Sequence, residues 1–194
     1  KDKPIDTEKP QEKETADLIN SLLDRFSEST RFVNRRTFAS APVRTQPLRV
    51  YTPSEIAASS EGSHVPLEMA RQKLNSPSEW NSVHEKLLQF GKNSGLFDDI
   101  DIRLLGKKDG DPFQVVVKTK GPPFNLVDVG YGVSQALPII YQLEQTPRQH
   151  DAFLLQQPEV HLHPRAQSAL GSLIARLSKQ RATALYLVET HSDY

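Results

Sequence analysis

The sequence predicts an α/β fold whose core is a parallel sheet built mainly by residues 126–194. Two short, uninterrupted apolar runs, 152–155 and 184–188, are typical of strands that are buried on both faces. Between them, Pro164 opens a segment in which apolar residues recur at helical spacing. A strand, a helix and a second strand in this order favour a parallel crossover unit.

The first 125 residues predict a more helical part that also carries a small antiparallel element. Residues 1–13 are charged and contain prolines, which favours a disordered tail or linker. Residues 14–125 predict a helical, lid-like region with a β-hairpin, although 30–63 contain three prolines and predict irregular structure. Helices are predicted at about 14–29, 65–75 and 77–90. Two strands are predicted after them, at about 100–105 and 113–117.

Composition excludes several classes of function. The 24 basic and 24 acidic residues balance, so no global field attracts nucleic acid, although a local patch could. The chain has no cysteine, which excludes disulfides and thiolate metal sites and favours a cytoplasmic location. No apolar stretch approaches the roughly 20 residues that span a bilayer, so we expect no membrane partner. The start at Lys1 and the end at Tyr194, just after a strand, suggest an interior piece of a longer protein.

Polar side chains follow both apolar runs, at the point where each predicted strand ends. They are Gln156, Gln157, Glu159, Glu189 and His191. Parallel strands end at one edge of the sheet, where ligands bind, so these side chains should meet there. Neighbouring strands lie about 4.8 Å apart, close enough for one shared ligand.

A glycine-containing segment precedes the first of these strands. Gly130 and Gly132 allow close backbone approach, and the helix after them, which includes Ser134 and Gln135, offers free N–H groups. This combination suits a phosphate, although a plain turn is the alternative. Pro138 lacks an N–H and prefers the first turn of a helix, so the helix is predicted to start near Ser134 or Gln135.

Together, these motifs resemble the C-terminal lobe of an ABC-type ATPase head. Residues 130–135 resemble the signature motif, 154–159 the Walker B motif, 161–164 the start of the D-loop and 189–192 the switch or H-loop. The nearest group is the RecF/SMC-like branch, which includes overcoming-lysogenisation-defect ATPases and related bacterial phage-defence AAA proteins. The resemblance implies a P-loop NTPase fold that is incomplete here, because no GxxxxGK[ST] phosphate loop occurs in the sequence.

The resemblance also implies cofactors, partners and roles. ATP and Mg²⁺ would be bound, ATP would be hydrolysed to ADP and phosphate, and a second copy of the head would dimerise on the nucleotide. His191 would contact the γ-phosphate, while the signature residues Gly130, Gly132, Ser134 and Gln135 would contact the partner's nucleotide. In such families the head drives a DNA or RNA transaction, or controls a partner nuclease or toxin in phage defence.

The sequence departs from the family at the Walker B motif. Gln156 stands where a Mg²⁺-directed acidic residue is usual, and Gln157 where the water-activating glutamate is usual. Glutamine can orient water but cannot accept a proton as a carboxylate does. We hypothesise that Glu159 or Glu189 supplies the missing charge, with Glu189 favoured because it ends a strand beside His191. In the signature, Gly130 falls where the serine is usual.

Other interpretations remain open at this point. The protein could be a non-hydrolysing, ATP-sensing scaffold that controls a partner nuclease or toxin. His161 and His163, with Glu159 as a third ligand, could instead hold zinc for a hydrolase. Glu159 could also cap the next helix. Arg44 and Arg49 are predicted to be solvated or salt-bridged rather than to contact nucleotide or a second subunit.

Overall fold

The computed structural model describes residue 21 and residues 36–52, 59–108, 110–145 and 151–192. The predicted tail at 1–13 lies outside the described residues, as does the predicted helix at 14–29 except for residue 21, which is helical. The chain divides into two compact units, Lys1–Arg36 and Thr37–Tyr194. The second unit contains, in chain order, β1 (Thr37–Ser40), α1 (Val65–Asn75), α2 (Pro77–Ser94), β2 (Asp99–Leu104), β3 (Phe113–Lys118), β4 (Pro123–Asn125), a 3₁₀ turn (Leu126–Asp128), α3 (Tyr131–Glu144), β5 (Ala152–Gln156), α4 (Pro164–Gln180) and β6 (Leu185–Glu189).

A parallel sheet in the order β1-β5-β6 forms the base of the candidate site. The predicted crossover from β5 through α4 to β6 is confirmed, and the two strands are direct neighbours. The prediction that 30–63 is irregular was wrong at β1, which pairs in parallel with β5 from Thr37 to Ser40. Four residues followed by Pro42 give too little periodicity to predict a strand, and β1 forms because β5 supplies its hydrogen-bonding partner.

An aromatic row crosses this sheet. Phe38, Phe153 and Tyr186 occupy matching register positions on β1, β5 and β6. The ring centroids of Phe38 and Phe153 lie 6.3 Å apart, and those of Phe153 and Tyr186 stack at 4.8 Å. Phe153 is completely buried. Aromatic side chains paired across strands stabilise a sheet by more than their buried area alone accounts for. This row therefore helps to align the three strands.

An antiparallel sheet in the order β2-β3-β4 confirms the predicted hairpin and adds β4, a short third strand. The helices predicted at 65–75 and from Pro77 are also confirmed. Helix α2 ends at Ser94 and is capped by Gly95, whose φ of 75° suits glycine. Five apolar residues of α2 are predicted from their spacing to face a core: Trp80, Val83, Leu87 and Phe90 are buried, whereas Leu88 is only half-buried. In the described part of the chain, no helix combines the length and the apolar character that crossing a membrane requires.

Helix α3 begins at Tyr131, so the prediction that it starts near Ser134 or Gln135 was wrong. Pro138 lies inside the helix, where it removes one backbone hydrogen bond. It is tolerated because this helix is buried from Val133 to its end. Pro138 also packs against Gly62, where a Cβ would lie only 2.5 Å from the proline Cβ. Tertiary packing therefore outweighs the local preference of proline for a first turn.

Candidate functional site

The two parallel strands β5 and β6 end side by side, as the sequence predicts. Gln156 and Glu189 are in register, so both side chains lie on one face of the sheet. Both are exposed, and so is His191 two residues beyond Glu189. The backbone N–H of Gln157 donates to the carbonyl oxygen of Glu189 at 2.8 Å, which extends the pairing by one more bond. An amide and a carboxylate are thus presented together at the sheet edge.

The turn after β5 is held in an unusual backbone conformation. Among the described residues, the two non-glycine residues with positive φ both lie in it: Gln157 at 43° and His161 at 67°. Such a conformation costs about 1–3 kcal/mol and persists only where surrounding contacts impose it. The carbonyl oxygen of Gln157 accepts hydrogen bonds from the N–H of Val160 at 3.2 Å and from the Arg44 guanidinium at 3.2 Å. These contacts hold Gln157 in place.

Glu159 links this turn to the segment after β6. Its side chain is 8% exposed, and its Oε1 accepts a hydrogen bond from the backbone N–H of His191 at 2.9 Å. Burial acts to raise the pKa of Glu159, but the His191 N–H and a hydrogen bond to Thr190 outweigh it and hold that pKa below its usual value. The alternative that Glu159 caps the next helix was wrong, because His163 caps α4 by accepting from the Ala166 N–H at 3.3 Å.

Replacement of Glu159 by Gln should change how the melting temperature depends on pH. A carboxyl whose folded-state pKa lies below its unperturbed value of 4.5 stabilises the fold above that pH. The contribution disappears as pH falls through the folded-state pKa. We therefore expect E159Q to lower the melting temperature at pH 7 and the two curves to converge below pH 4.5. Thermal unfolding between pH 7 and 3 measures this, and a difference that stays constant would contradict it.

Arg44 is part of this site, and the prediction that it is solvated or salt-bridged was wrong. Its side chain is 2% exposed, and Nη2 donates to the carbonyl oxygens of Gln156 at 3.5 Å and Gln157 at 3.2 Å. Burial lowers the pKa of Arg44 to about 10, while the charge of Glu159 acts to raise it. Arg44 therefore stays protonated at neutral pH. The sequence offers one signal for it, since Arg44 follows Pro42 in the stiff segment after β1.

The glycine segment forms the N-terminus of α3 beside the same turn. Gly130 is the N-cap and provides no side-chain cap, so N–H groups of the first turn are left for other partners. A Cβ at Gly132 would lie 2.8 Å from the carbonyl oxygen of His161, whereas one at Gly130 would meet no atom within 4 Å. The rings of Tyr131 and His161 meet edge to face at 4.7 Å. Ser134 is buried, and its Oγ donates to the Tyr131 carbonyl at 2.9 Å.

Gln135 is placed differently from the other signature residues. It is completely buried, its Oε1 accepts from the N–H of Arg44 at 3.0 Å, and its Nε2 donates to the Arg44 carbonyl at 3.4 Å. Both ends of its amide therefore serve the backbone of Arg44. The predicted contact of Gln135 with nucleotide stays a prediction, and any such role would have to act through the Arg44 segment.

Gly130 and Gly132 should respond differently to alanine. G132A places a methyl group against the backbone of His161, so we expect a loss of about 1–3 kcal/mol in the free energy of unfolding. G130A places it in open space and should change that free energy by less than about 0.5 kcal/mol. Denaturant unfolding of both variants tests this pair. Equal losses would show that the packing of Gly132 on the turn is not restrictive.

The zinc alternative is not supported by the structure. Within 36–52, 59–108, 110–145 and 151–192, no three His, Cys, Asp or Glu side chains are grouped so that they could hold a metal ion. His163 is engaged as the cap of α4, and His161 packs against Tyr131. These two histidines therefore have structural roles in the turn after β5.

Comparison with known proteins agrees with the motifs. Residues 12–194 match the family model described as "AAA domain, putative AbiEii toxin, Type IV TA system". No curated protein matches the chain. Among solved structures, an SMC head bound to the C-terminal winged-helix domain of ScpA gives a TM-score of 0.50 at 16% identity, covering 66% of this chain and 41% of that one.

A second SMC head, from Pyrococcus furiosus and bound to the C-terminal domain of ScpA, gives a TM-score of 0.48 at 14% identity, covering 68% of this chain and 34% of that one. The chain thus spans less than half the length of these two SMC heads. The likeness to the first head concerns the fold alone. Since the family match covers almost the whole chain, the chain belongs to this AAA-domain family, and its α/β fold resembles that of an SMC head.

Proposed function

We propose that this chain forms the C-terminal lobe of an ATP-binding head that dimerises on ATP and hydrolyses it to ADP and phosphate. The observation that supports this most is the pair formed by Gln156 and Glu189, in register at the ends of β5 and β6, with the exposed His191 beside them. Phosphoryl transfer needs positioned polar groups more than covalent chemistry. The edge of a parallel sheet is where such groups reach a nucleotide.

The residues at this edge fit Mg²⁺. Mg²⁺ prefers oxygen ligands and is held by one or two carboxylates together with substrate phosphates. The amide oxygen of Gln156 would supply one such ligand, and Glu189 at the paired position would add a negative charge nearby. Bound Mg²⁺ would neutralise charge on the phosphates during hydrolysis.

Glu189 is the residue that we propose as general base. Its carboxylate is exposed, whereas the carboxylate of Glu159 is buried and its Oε1 is occupied by the His191 N–H. Gln157 would orient the attacking water, Glu189 would accept its proton, and His191 would contact the γ-phosphate. The negative charge that is usual on the Walker B strand would then come from the neighbouring strand.

The N-terminus of α3 is proposed to contact the nucleotide that is held mainly by a second copy of the head. Open space at Gly130 and the uncapped first turn support this, since phosphate binds where backbone N–H groups are free. We propose that the dimer controls a nuclease or toxin effector, or acts on DNA or RNA, in bacterial phage defence. The description of the matched family, which names a putative toxin and a toxin–antitoxin system, supports control of an effector.

A second candidate function is a non-hydrolysing, ATP-sensing scaffold. Two glutamines at the Walker B positions and the engagement of Glu159 by the His191 N–H favour it. In this case the same dimer forms on ATP, but the nucleotide stays intact and its binding alone controls the effector.

Two assays on the intact protein separate these functions. ATP binding is measured by calorimetry with Mg²⁺, and turnover by phosphate release. Binding with turnover supports the ATPase, and binding without turnover supports the scaffold. Absence of ATP binding would overturn both. G130E, which introduces a bulky negative charge at the open N-cap, should reduce dimer-dependent turnover while G121E, at another open glycine, should not.

A further inference from the structure

Arg44 touches three parts of the candidate site at once. Its guanidinium donates to the carbonyl oxygens of Gln156 and Gln157, at the end of β5 and in the strained turn. Its backbone N–H and carbonyl are both bonded by the Gln135 side chain, which belongs to α3. Arg44 itself follows β1, the third strand of the parallel sheet. One residue therefore connects the strand end at the Walker B position with the helix that follows the glycines.

The positive charge of Arg44 is buried close to the negative charge of Glu159. Within the part of the chain that the structure describes, the Nε and Nη1 atoms of Arg44 are buried and form no hydrogen bond. The negative charge of Glu159 acts favourably on the guanidinium. Glu159 in turn holds the backbone N–H of His191 at 2.9 Å. A buried cation with spare donors can change its hydrogen-bond acceptors when the turn after β5 or the His191 segment shifts.

We infer that Arg44 is a positioning residue that couples the strand-end site of Gln157, Glu189 and His191 to the N-terminus of α3. When nucleotide binding shifts the turn after β5, the carbonyl oxygens that accept hydrogen bonds from Arg44 move with it. Because the Gln135 side chain hydrogen-bonds the backbone of Arg44, this movement is transmitted to α3. It thereby alters the surface that α3 presents to a second copy of the head. This inference rests on the proposed function, since the coupling matters only where both places meet nucleotide.

The first test is amide hydrogen exchange on the intact protein without nucleotide. Lysine keeps the charge of Arg44, but its side chain is one atom shorter, so Nζ cannot take the place of the Nη2 atom that donates to both carbonyls. R44K should therefore raise exchange by about tenfold both at 156–162 and at 131–136. The matched control is R49K, in the same segment, because Arg49 is exposed and ion-paired with Asp128 at 2.6 Å, as the sequence predicts. Faster exchange confined to residues beside position 44 would overturn the inference.

A second variant covers the case in which R44K does not fold. Q135M keeps the volume of Gln135 while it removes both hydrogen bonds to Arg44. It should raise exchange at 156–162, although Gln135 itself makes no hydrogen bond with that segment. Unchanged exchange there in folded Q135M would overturn the coupling.

The kinetic test separates positioning from mere stability. At a temperature well below unfolding, R44K should lower kcat for ATP by about tenfold to a hundredfold and change KM less than about threefold, because misplaced groups slow the chemical step. Equal kcat values for R44K, R49K and the wild type would contradict the inference. Absence of ATP binding by the wild type would instead contradict the proposed function, and the exchange result would still decide the physical coupling.

Discussion

Replacement of Glu189 by Gln should abolish most ATP turnover by the intact protein. A general base contributes about 10²–10⁴-fold to rate, so kcat should fall by at least about 100-fold. The fold should persist, because Glu189 is exposed and its structural hydrogen bond runs through the backbone carbonyl, which the substitution keeps. KM for ATP should change little, since the amide still occupies the same space. Phosphate release with saturating Mg·ATP measures the effect.

The control for this prediction is E85Q, which removes an exposed carboxylate from α2. It has the same charge change and should turn over ATP like the wild type. If E189Q also retains wild-type turnover, the proton goes elsewhere and the assignment of Glu189 as the base is wrong. If E159Q abolishes turnover while E189Q does not, the base is the buried carboxylate.

Replacement of Phe153 by Ala should be the most destabilising change in the sheet. Phe153 is completely buried at the centre of the aromatic row, and the Arg181 guanidinium lies 5.8 Å from its ring. Truncation of a buried phenylalanine costs about 3–5 kcal/mol, from lost burial and from the cavity that remains. Since domains are stable by about 5–15 kcal/mol, this loss should lower the denaturation midpoint clearly.

The matched control is L187A on β6, where the leucine is 61% exposed. Its free energy of unfolding should stay within about 0.5 kcal/mol of the wild type. Denaturant titration followed by circular dichroism gives both values. Similar losses for the two variants would mean that the aromatic row does not align the strands.

The strand–helix–strand unit was predictable because its signals are local. The apolar run of β5, the helical stripe after Pro164 and the apolar run of β6 each lie within one stretch of sequence. Parallel pairing then follows from connection geometry, and it predicts that Gln156 and Glu189 meet. The structure places them in register.

What could not be predicted depends on contacts distant in sequence. β1 is a strand because β5 pairs with it, and nothing in its four residues shows this. Pro138 suggested a later start of α3, but its packing against Gly62 overrides the local preference. The sequence predicts that Arg44 is solvated or salt-bridged, as charged side chains usually are. Its burial becomes visible only when the carbonyls of Gln156 and Gln157 are placed beside it.

The central claim is that this AAA-family lobe belongs to a head that dimerises on ATP. Light scattering of the intact protein with and without a non-hydrolysable ATP analogue and Mg²⁺ tests it most directly. The proposed function predicts that the analogue doubles the measured mass and that G130E prevents this while G121E does not. A mass that is the same with and without the nucleotide, at concentrations where calorimetry shows that it binds, would contradict the claim.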